Sequence, residues 1–535
     1  MAQPHSDIVP GTVLLVDFDG TADAPHARDI VLVPTPSEDP DDPLNWSSWR
    51  KTLFLTTICV YCLSVGIASA AIYSILVPIS VATGLTVGDL NTGTGYMFLL
   101  LGWGCLIWQP LAQKYGKRPV YLLSILGTIA MMIWAPHAKT NGQWIANKVI
   151  QGFFGAPIES LCEMSVSDVY FAHERGTYIG YYALFLGGAN FLAPILGGFI
   201  NDGQGWQWVL HWCAIFNAIA FAIMFFCMEE TNYNRVLGNP SHGHMDPEHE
   251  DPSDGEKGIK SQTTHNTEVR TGTIASSNRS YLVKLKLFRR QLFQDVPWKG
   301  MLTRPFQYFS LPIVVFCGFM YGAVICYFGV LNGTASIILS GAPYNFSPRM
   351  VGLCYVSCVI GVFIGAYYSG PLGDKLVLYW TRRNGGLREP EYRLWLYVAL
   401  VVIVPSALIL WGVGAAHAVH WSGPLVAMGM IAASITVGCQ IPISYCIDSY
   451  TEISSDAIVT IILIRNTMSF AMGYGVTPWV TNMGYQNAFI LAACVSFAQF
   501  ALAFVFIRYG KQMRRNSAEK YASYTLRARA EGLGH

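Results

Sequence analysis

The residues most able to do chemistry in this chain are five charged side chains that stand in otherwise apolar stretches. They are Lys148, Glu159, Glu163, Asp448 and Arg465. A charge at the centre of a membrane helix costs about 2.5–3.5 kcal/mol on the insertion scale, so such residues usually face a cavity or a partner and serve a function. A carboxyl group in that position can carry a proton or bind a cation. These five residues are therefore candidates for proton coupling or substrate contact.

Residue spacing predicts the geometry of three of these charges. Glu159 and Glu163 are four residues apart, which places them on one face of a helix. Lys148 precedes Glu159 by eleven residues, about three turns, which predicts roughly the same face. Two neighbouring carboxylates repel each other when both are charged, which favours the uptake of a proton or a cation. A purely structural role for both glutamates is the alternative.

Asp448 and Arg465 stand at the end of one apolar stretch and inside the next. The simpler interpretation is an ion pair between two neighbouring helices, and contact with a substrate is the alternative.

The composition explains why such charges are unusual here. Of 535 residues, 52% are hydrophobic and 13% are charged, whereas soluble domains carry about 25% charged residues. The net charge of +1 argues against nucleic-acid binding. The thirteen cysteines all fall in hydrophobic segments, where they are interpreted as small apolar helix residues. We therefore predict no metal site and no cofactor.

Twelve segments are long and apolar enough to cross a bilayer, which takes about 20 residues. The chain is therefore predicted to be an all-α membrane protein with about 12 transmembrane helices in two six-helix bundles. The predicted spans are 52–76, 92–111, 119–136, 144–167, 176–200, 207–228, 307–331, 350–372, 394–415, 424–448, 456–479 and 486–507.

The distribution of basic residues predicts the orientation. Lys and Arg accumulate in cytoplasmic loops, and thirty of the 34 fall on one side if both termini are cytoplasmic. The predicted organisation has five parts: a cytoplasmic tail at 1–51, a bundle at 52–228, a cytoplasmic linker at 229–304, a bundle at 305–510 and a cytoplasmic tail at 511–535. The middle of the linker is strongly polar, which predicts disorder. Its last part, 281–300, reads equally as an amphipathic helix on the inner leaflet or as an ordinary basic loop.

Two cytoplasmic loops carry related motifs. The loop after the second predicted helix reads QPLAQKYGKR at 109–118, and its counterpart in the second half reads GPLGDK at 370–375. Both resemble the loop signature of the major facilitator superfamily, in which a glycine, an aspartate and a basic pair clamp helix ends. Gln113 replaces the usual aspartate, which weakens the first clamp. The resemblance and the position at the cytoplasmic face imply gating roles for Lys114, Gly116, Lys117, Arg118, Asp168, Arg175, Gly370 and Asp374.

Two further motifs lie in the fourth and fifth predicted helices. Lys148-x-x-Gln151-Gly152 is similar to the Arg-x-x-Gln-Gly of drug transporters in this superfamily. APILGG at 193–198 resembles the antiporter motif of drug:proton exchangers, which implies a role for Pro194, Gly197 and Gly198. Small residues let two helices approach closely, and a proline bends the helix that contains it.

Other segments are similar to one fungal branch of the superfamily, among them DDPLNWSSWRK at 41–51 and PEYRLW at 390–395. That branch is drug:proton antiporter-like and also includes polyamine- and histidinol-type permeases. The resemblance runs from about residue 29 to 510. It implies a monomer with a substrate site between the two halves, in the plasma membrane or, alternatively, the vacuolar membrane.

Aromatic and uncharged polar residues inside the spans are candidates for lining a substrate cavity. They contact a ligand through cation–π attraction or hydrogen bonds, or else they only join helices. The candidates are Trp108, Asn190, Tyr327, Tyr355, Gln440, Tyr445 and Asn466.

Together these features predict a proton-coupled secondary active transporter, not an enzyme. The predicted activity is efflux by antiport of hydrophobic or amphipathic small molecules such as a secondary metabolite, toxin or drug. The alternative is proton-coupled import of organic cations such as polyamines. The sequence contains no G-x-x-x-x-G-K-[S/T] motif, so the chain itself is not expected to use ATP.

Overall fold

The protein is seen in a computed structural model that describes residues 9–14, 42–170, 172–232, 298–385 and 387–530. These residues are almost entirely helical. Two short strands, β1 (Val13–Leu14) and β2 (Leu387–Arg388), form an antiparallel pair.

The first half contains six membrane helices, α1 to α6. A short helix, Leu76–Thr83, lies between α1 and α2. The six are α1 (Ser48–Ala70), α2 (Val87–Trp103 continued by Cys105–Tyr115), α3 (Lys117–Trp134), α4 (Asn141–Gly155 continued by Pro157–Val169), α5 (Ala172–Gln204) and α6 (Trp206–Cys227).

The second half contains α7 to α12. Its last two helices run on as Ser454–Asn516, which is broken at Gly484 with φ 74° and ψ 160°. The six are α7 (Pro312–Ser340), α8 (Pro348–Cys354, Val356–Tyr367, a π-helical turn at Tyr368–Leu372, and Gly373–Arg383), α9 (Tyr397–Ala416, after a 3₁₀ turn at Pro390–Leu396), α10 (Ser422–Ser449), α11 (454–483) and α12 (485–516). Helices Trp298–Gln307 and Ala518–Ala530 precede α7 and follow α12.

The predicted fold is confirmed. In the described part of the chain, ten helices are long and apolar enough to span a bilayer, and one of these, Asp456–Asn516, contains both α11 and α12. Helix α4 is not among the ten because its charged residues lower its mean hydropathy. The two six-helix halves are thus those predicted, although α5 and α7 run several residues past their predicted ends. Most of the linker, 233–297, lies outside the described residues.

The two halves meet closely near the start of α2. Asn91 Nδ2 of α2 donates to the carbonyl of Gly333 on α7 at 3.1 Å and to Thr477 Oγ1 on α11 at 3.0 Å. One turn further in, a Cβ on Gly473 would lie only 2.7 Å from the Cα of Gly95. Glycine is required here because the two backbones touch.

Candidate functional site

The central feature of the site is a carboxylate that the local fold of α4 places at the seam between the halves. The helix is interrupted at Ala156, and Pro157, which has no N–H, starts its second segment. The carbonyl of Phe153 at this break accepts a 2.7 Å hydrogen bond from Trp108 Nε1. Glu159 therefore stands in the first turn of a helix, where the dipole favours a negative charge.

The partner of Glu159 is Arg465 of α11. Arg465 Nη2 lies 2.5 Å from Glu159 Oε2, with 7% and 13% of the two side chains exposed. Arg465 Nη1 donates to the hydroxyl of Tyr321 on α7 at 2.7 Å, and the guanidinium carbon stands 4.6 Å from the centre of the same ring. A buried ion pair of this kind is held by excellent geometry and additional hydrogen bonds. It joins the two halves inside the membrane.

The expected pairing of Asp448 with Arg465 is wrong. Asp448 lies in the last turn of α10, where its carboxylate contacts Arg388 at 2.5 Å and Arg393 at 3.1 Å. Arg465 stands eleven residues into α11, about 16 Å deeper at 1.5 Å per residue. Adjacent helices thus carry these charges at different depths, which residue types alone did not reveal.

Lys148, predicted to lie on roughly the same face as Glu159, takes no part in the ion pair of Glu159 with Arg465. Lys148 is fully buried inside the first half, where its Nζ donates to Gln151 Oε1 at 2.8 Å and lies 4.9 Å from the centre of the Trp144 ring. Gln151 in turn donates to the carbonyl of Ala68 on α1. Lys148 therefore belongs to the interior of one half and not to the seam.

Glu163 lies one turn beyond Glu159 toward the end of α4. Its carboxyl group is within electrostatic range of the Tyr182 hydroxyl on α5. The four-residue spacing of the two glutamates is thus kept within one helical segment, Pro157–Val169.

The motif of the loop between α2 and α3 forms an ion-pair cluster that we call the N-half clamp: Lys117, Arg118, Asp168 and Glu230. Lys117 Nζ lies 2.5 Å from Asp168 Oδ2, which joins α3 to the end of α4. Glu230, just after α6, accepts the backbone N–H groups of Lys117 and Arg118, each at 3.0 Å. Burial raises the pKa of Glu230 despite those hydrogen bonds.

The other gating candidates of the first half have distinct surroundings. Gly116 has a φ of 111°, and a Cβ there would lie 2.6 Å from Glu230 Oε2, so only glycine fits. Lys114 Nζ lies 5.9 Å from the centre of the Trp298 ring. The Arg175 side chain falls outside the described residues.

A second cluster, the C-half clamp, occupies the corresponding place in the second half: Arg388, Glu389, Glu391, Arg393, Asp448 and Arg514. Arg514 of α12 is fully buried and contacts Glu389 at 2.7 Å and Glu391 at 2.8 Å. Arg393 reaches both Asp448 and, at 3.5 Å, the more exposed Asp374. Gly370 lies in the π-helical turn of α8 with open space around it.

The glycines of the α5 motif bring the last part of α5 against the start of α8. A Cβ on Gly198 would lie 2.5 Å from the carbonyl oxygen of Pro348 and 3.2 Å from the Cα of Gly352, both on α8. A Cβ on Gly352 would lie 2.7 Å from the carbonyl oxygen of Pro194. A Cβ on Gly197 would likewise lie 2.7 Å from the carbonyl oxygen of Ala71, just after α1. The small side chains thus serve close helix contact.

All seven predicted cavity residues have hydrogen-bond partners within the protein. The contacts are Trp108 with Phe153, Asn190 with Leu186, Tyr327 with Gln499, Tyr355 with Asn332, Gln440 with Ser369, Tyr445 with Glu391, and Asn466 with Arg465. Only Asn466 belongs to the group around Glu159. Substrate contact by the seven residues stays a prediction.

Two features of the seam were missed by the sequence analysis. Tyr321 was not selected, although a tyrosine in the middle of an apolar helix is the natural neighbour of an intramembrane arginine. A small cavity of about 30 Å³ lies further along α11 than Arg465, lined among others by Asn91, Phe328 and Met472. Its lining comes from both halves, so sequence spacing within one helix could not reveal it.

Comparisons with known proteins agree with this architecture. Residues 54–469 match the model of the Major Facilitator Superfamily. The chain is 29% identical to the MFS-type transporter C1271.10c of Schizosaccharomyces pombe, over 96% of this chain and 94% of that protein. It is 25% identical to Protein HOL1 of Saccharomyces cerevisiae, over 95% and 96% of the two chains. It is 24% identical to the multidrug transporter FLU1 of Candida albicans, over 90% and 74%.

A solved structure shows the same fold at low sequence identity. A bacterial homologue of the human lysosomal transporter Spinster has a TM-score of 0.53 and 13% identity, over 88% of this chain and 98% of that chain. With the two six-helix halves and the family match over residues 54–469, the chain belongs to the Major Facilitator Superfamily of secondary transporters.

Proposed function

We propose that the protein is a proton-coupled antiporter that exports hydrophobic or amphipathic small molecules. The observation that carries the proposal is the buried ion pair between Glu159 and Arg465, 2.5 Å apart across the seam of the two halves. Alternating access in this fold moves the halves against each other around a central site. A titratable group at that seam can link proton binding to this movement. The similarity to a protein named as a multidrug transporter supports export.

In the proposed mechanism, Glu159 is the proton carrier and Arg465 senses its charge. Protonation neutralises Glu159 and removes the attraction to the guanidinium. Arg465 still donates to the hydroxyl of the uncharged Tyr321 and lies over its ring. Its guanidinium group is therefore not left without a partner. The halves then separate at α4 and α11, and loss of the proton restores the ion pair.

The energy available suits this role. One proton crossing with a potential of about 100 mV supplies about 2.3 kcal/mol. A gradient of about two pH units adds about 2.7 kcal/mol. The sum corresponds to a substrate gradient of several thousandfold.

The second candidate function is proton-coupled import of organic cations such as polyamines. It is favoured by the two acidic groups one turn apart on α4, Glu159 and Glu163. In this case an ammonium group of the substrate would replace the guanidinium of Arg465 on Glu159. Under either proposal the protein lies in the plasma membrane with both termini in the cytoplasm.

The first experiment measures steady-state accumulation in yeast cells that express the protein. A lipophilic fluorescent cation and labelled spermidine are compared, each with and without a protonophore. If the protein exports, the cells should contain little dye, and their dye content should rise when the protonophore collapses the proton gradient. Import predicts high spermidine that falls under the same treatment.

Replacing the proposed proton carrier tests the mechanism in either direction. We expect Glu159→Gln to abolish concentrative transport, and Glu163→Gln to reduce it, because a neutral amide can no longer exchange a proton. The matched control is Asp202→Asn at the exposed outer end of α5, which should transport normally. Unchanged gradient-driven transport by Glu159→Gln at equal surface expression would refute the role of Glu159.

A further inference from the structure

The N-terminal segment Val9–Leu14 lies against the C-half clamp, far along the chain from it. Its strand β1 pairs with β2 in the loop between α8 and α9. Just before it, Gly11 has a φ of 83°, and a Cβ there would overlap the backbone at Asp448 and lie 2.9 Å from the Cα of Ser449. The segment is therefore fitted closely to the end of α10.

The segment also provides hydrogen-bond partners for the most buried charge of the clamp. Arg514 uses its Nε and Nη2 atoms for Glu391 and Glu389. Its remaining Nη1 donates to the carbonyl of Pro10, and Thr12 Oγ1 lies 3.3 Å away from the same atom. Thr12 Oγ1 in turn donates to Glu389 Oε2 at 2.9 Å.

The energetics favour a specific docking site. A buried charged donor without an acceptor is costly, and Arg514 is 0% exposed. The Pro10 carbonyl satisfies it, and the backbone pairing of β1 with β2 adds a strand edge contact.

We propose that Val9–Leu14 is a built-in ligand of the C-half clamp, an N-terminal strap that holds the start of α9 against the ends of α10 and α12. Release of the strap removes the acceptors of Arg514 Nη1. It also removes the hydrogen bond from Thr12 to Glu389 and so loosens the loop that carries Glu389. The strap is thus a regulatory device at the cytoplasmic face, and it is independent of the proposed proton carrier.

Photocrosslinking tests the docking directly in the full chain. A benzophenone amino acid replaces Val9, which leaves the contacting residues Pro10, Gly11 and Thr12 intact, and a protease site is inserted within 238–280. After irradiation in membranes and cleavage, we expect the two halves to migrate together as one covalent band. Two separate fragments in the parent protein would overturn the proposal.

Point variants separate docking from chance proximity. Gly11→Val should reduce the crosslinked fraction by about tenfold or more, since it combines strain at positive φ with overlap at Asp448. Gly20→Val, in the same tail but beyond the docked segment, is the matched control and should crosslink like the parent. Thr12→Val should weaken the crosslink and Thr12→Ser should retain it, because only serine keeps the hydroxyl. Equal crosslinking in Gly11→Val and Gly20→Val would overturn the proposal.

Discussion

The N-half clamp and the C-half clamp hold corresponding helices of the two halves together with partly opposite charges. In both halves an aspartate at the end of the fourth helix pairs with a base at the start of the third: Asp168 with Lys117, and Asp448 with Arg393. The sixth helix differs. Glu230 follows α6 and binds backbone N–H groups of α3, whereas Arg514 of α12 binds acids that precede α9.

This difference shows which property of a clamp the fold requires. Three helix ends must be joined, but the sign of the charge at the third contact is free as long as its partner is complementary. The N-half uses an acid at a helix N-terminus, where the backbone itself provides donors. The C-half uses a buried arginine, which needs acceptors from side chains and from the N-terminal segment.

The largest expected effect comes from removing the arginine of the C-half. Arg514→Met leaves Glu389 and Glu391 buried without their cation, so we expect a loss of about 3–5 kcal/mol. Thermal unfolding can be followed with a fluorophore that reacts with thiols, since ten of the thirteen cysteines are buried in the folded protein.

Two companion variants sharpen the result. In the wild-type protein the exposed Lys511 Nζ lies 2.6 Å from Glu389 Oε1. Lys511→Met removes this ion pair and should lower the free energy of unfolding by less than about 1 kcal/mol. Adding Glu389→Gln and Glu391→Gln to Arg514→Met should restore part of the lost stability, because no buried carboxylate then lacks its cation and Lys511, which loses its partner, is 60% exposed. If the triple variant were less stable than Arg514→Met, the account based on unpaired charges would be wrong.

A smaller effect is expected in the N-half. Lys117→Met removes a single ion pair, that with Asp168, while Glu230 keeps its bonds to the backbone. We expect a loss of about 1–3 kcal/mol in the same assay. The comparison variant Asp374→Asn affects a residue that is 68% exposed and 3.5 Å from Arg393, and should cost about 0–1 kcal/mol. Equal losses of stability in Lys117→Met and Asp374→Asn would contradict the proposal that burial determines the size of each loss.

The smallest effect is a difference in acid sensitivity. Burial opposes the charge of Glu389, but hydrogen bonds from Lys511, Arg514 and Thr12 outweigh it and lower its pKa. Its stabilising contribution is therefore present above the ordinary value of about 4.3 and is lost as the pH falls through the lower value of the folded state. The pKa of Glu230 is raised by burial, so its contribution instead falls as the pH rises above the ordinary value.

Hydrogen exchange at acidic and neutral pH, corrected for intrinsic rates, measures this difference. As the pH is lowered from the ordinary value of about 4.3 toward the lower pKa of folded Glu389, we expect protection to fall progressively at 387–391. Protection should be kept at the N–H groups of Lys117 and Arg118. Simultaneous loss in both segments would argue against opposite pH dependences of the two clamps.

The periodicity and composition of the sequence predicted much of the fold. Twelve apolar stretches give twelve helices because a bilayer requires each span to satisfy its own backbone hydrogen bonds. The helix bounds were less predictable. Helix α7 runs on to Ser340, because its last turns are buried in the protein and need not end at the surface of the bilayer. The spacing of Glu159 and Glu163 also held, because both lie in the uninterrupted segment Pro157–Val169.

The sequence by itself determined which residues are costly to bury: the intramembrane charges and the loop motifs stand out by type alone. Only the tertiary structure decided which charged side chains form ion pairs with one another. Arg465 meets Glu159 rather than Asp448, and Arg514 meets Glu389, Glu391 and the N-terminal segment. The physical reason is that spacing fixes neighbours within one helix. The depth and direction of a charge relative to other helices depend on how the helices pack and on contacts between segments hundreds of residues apart.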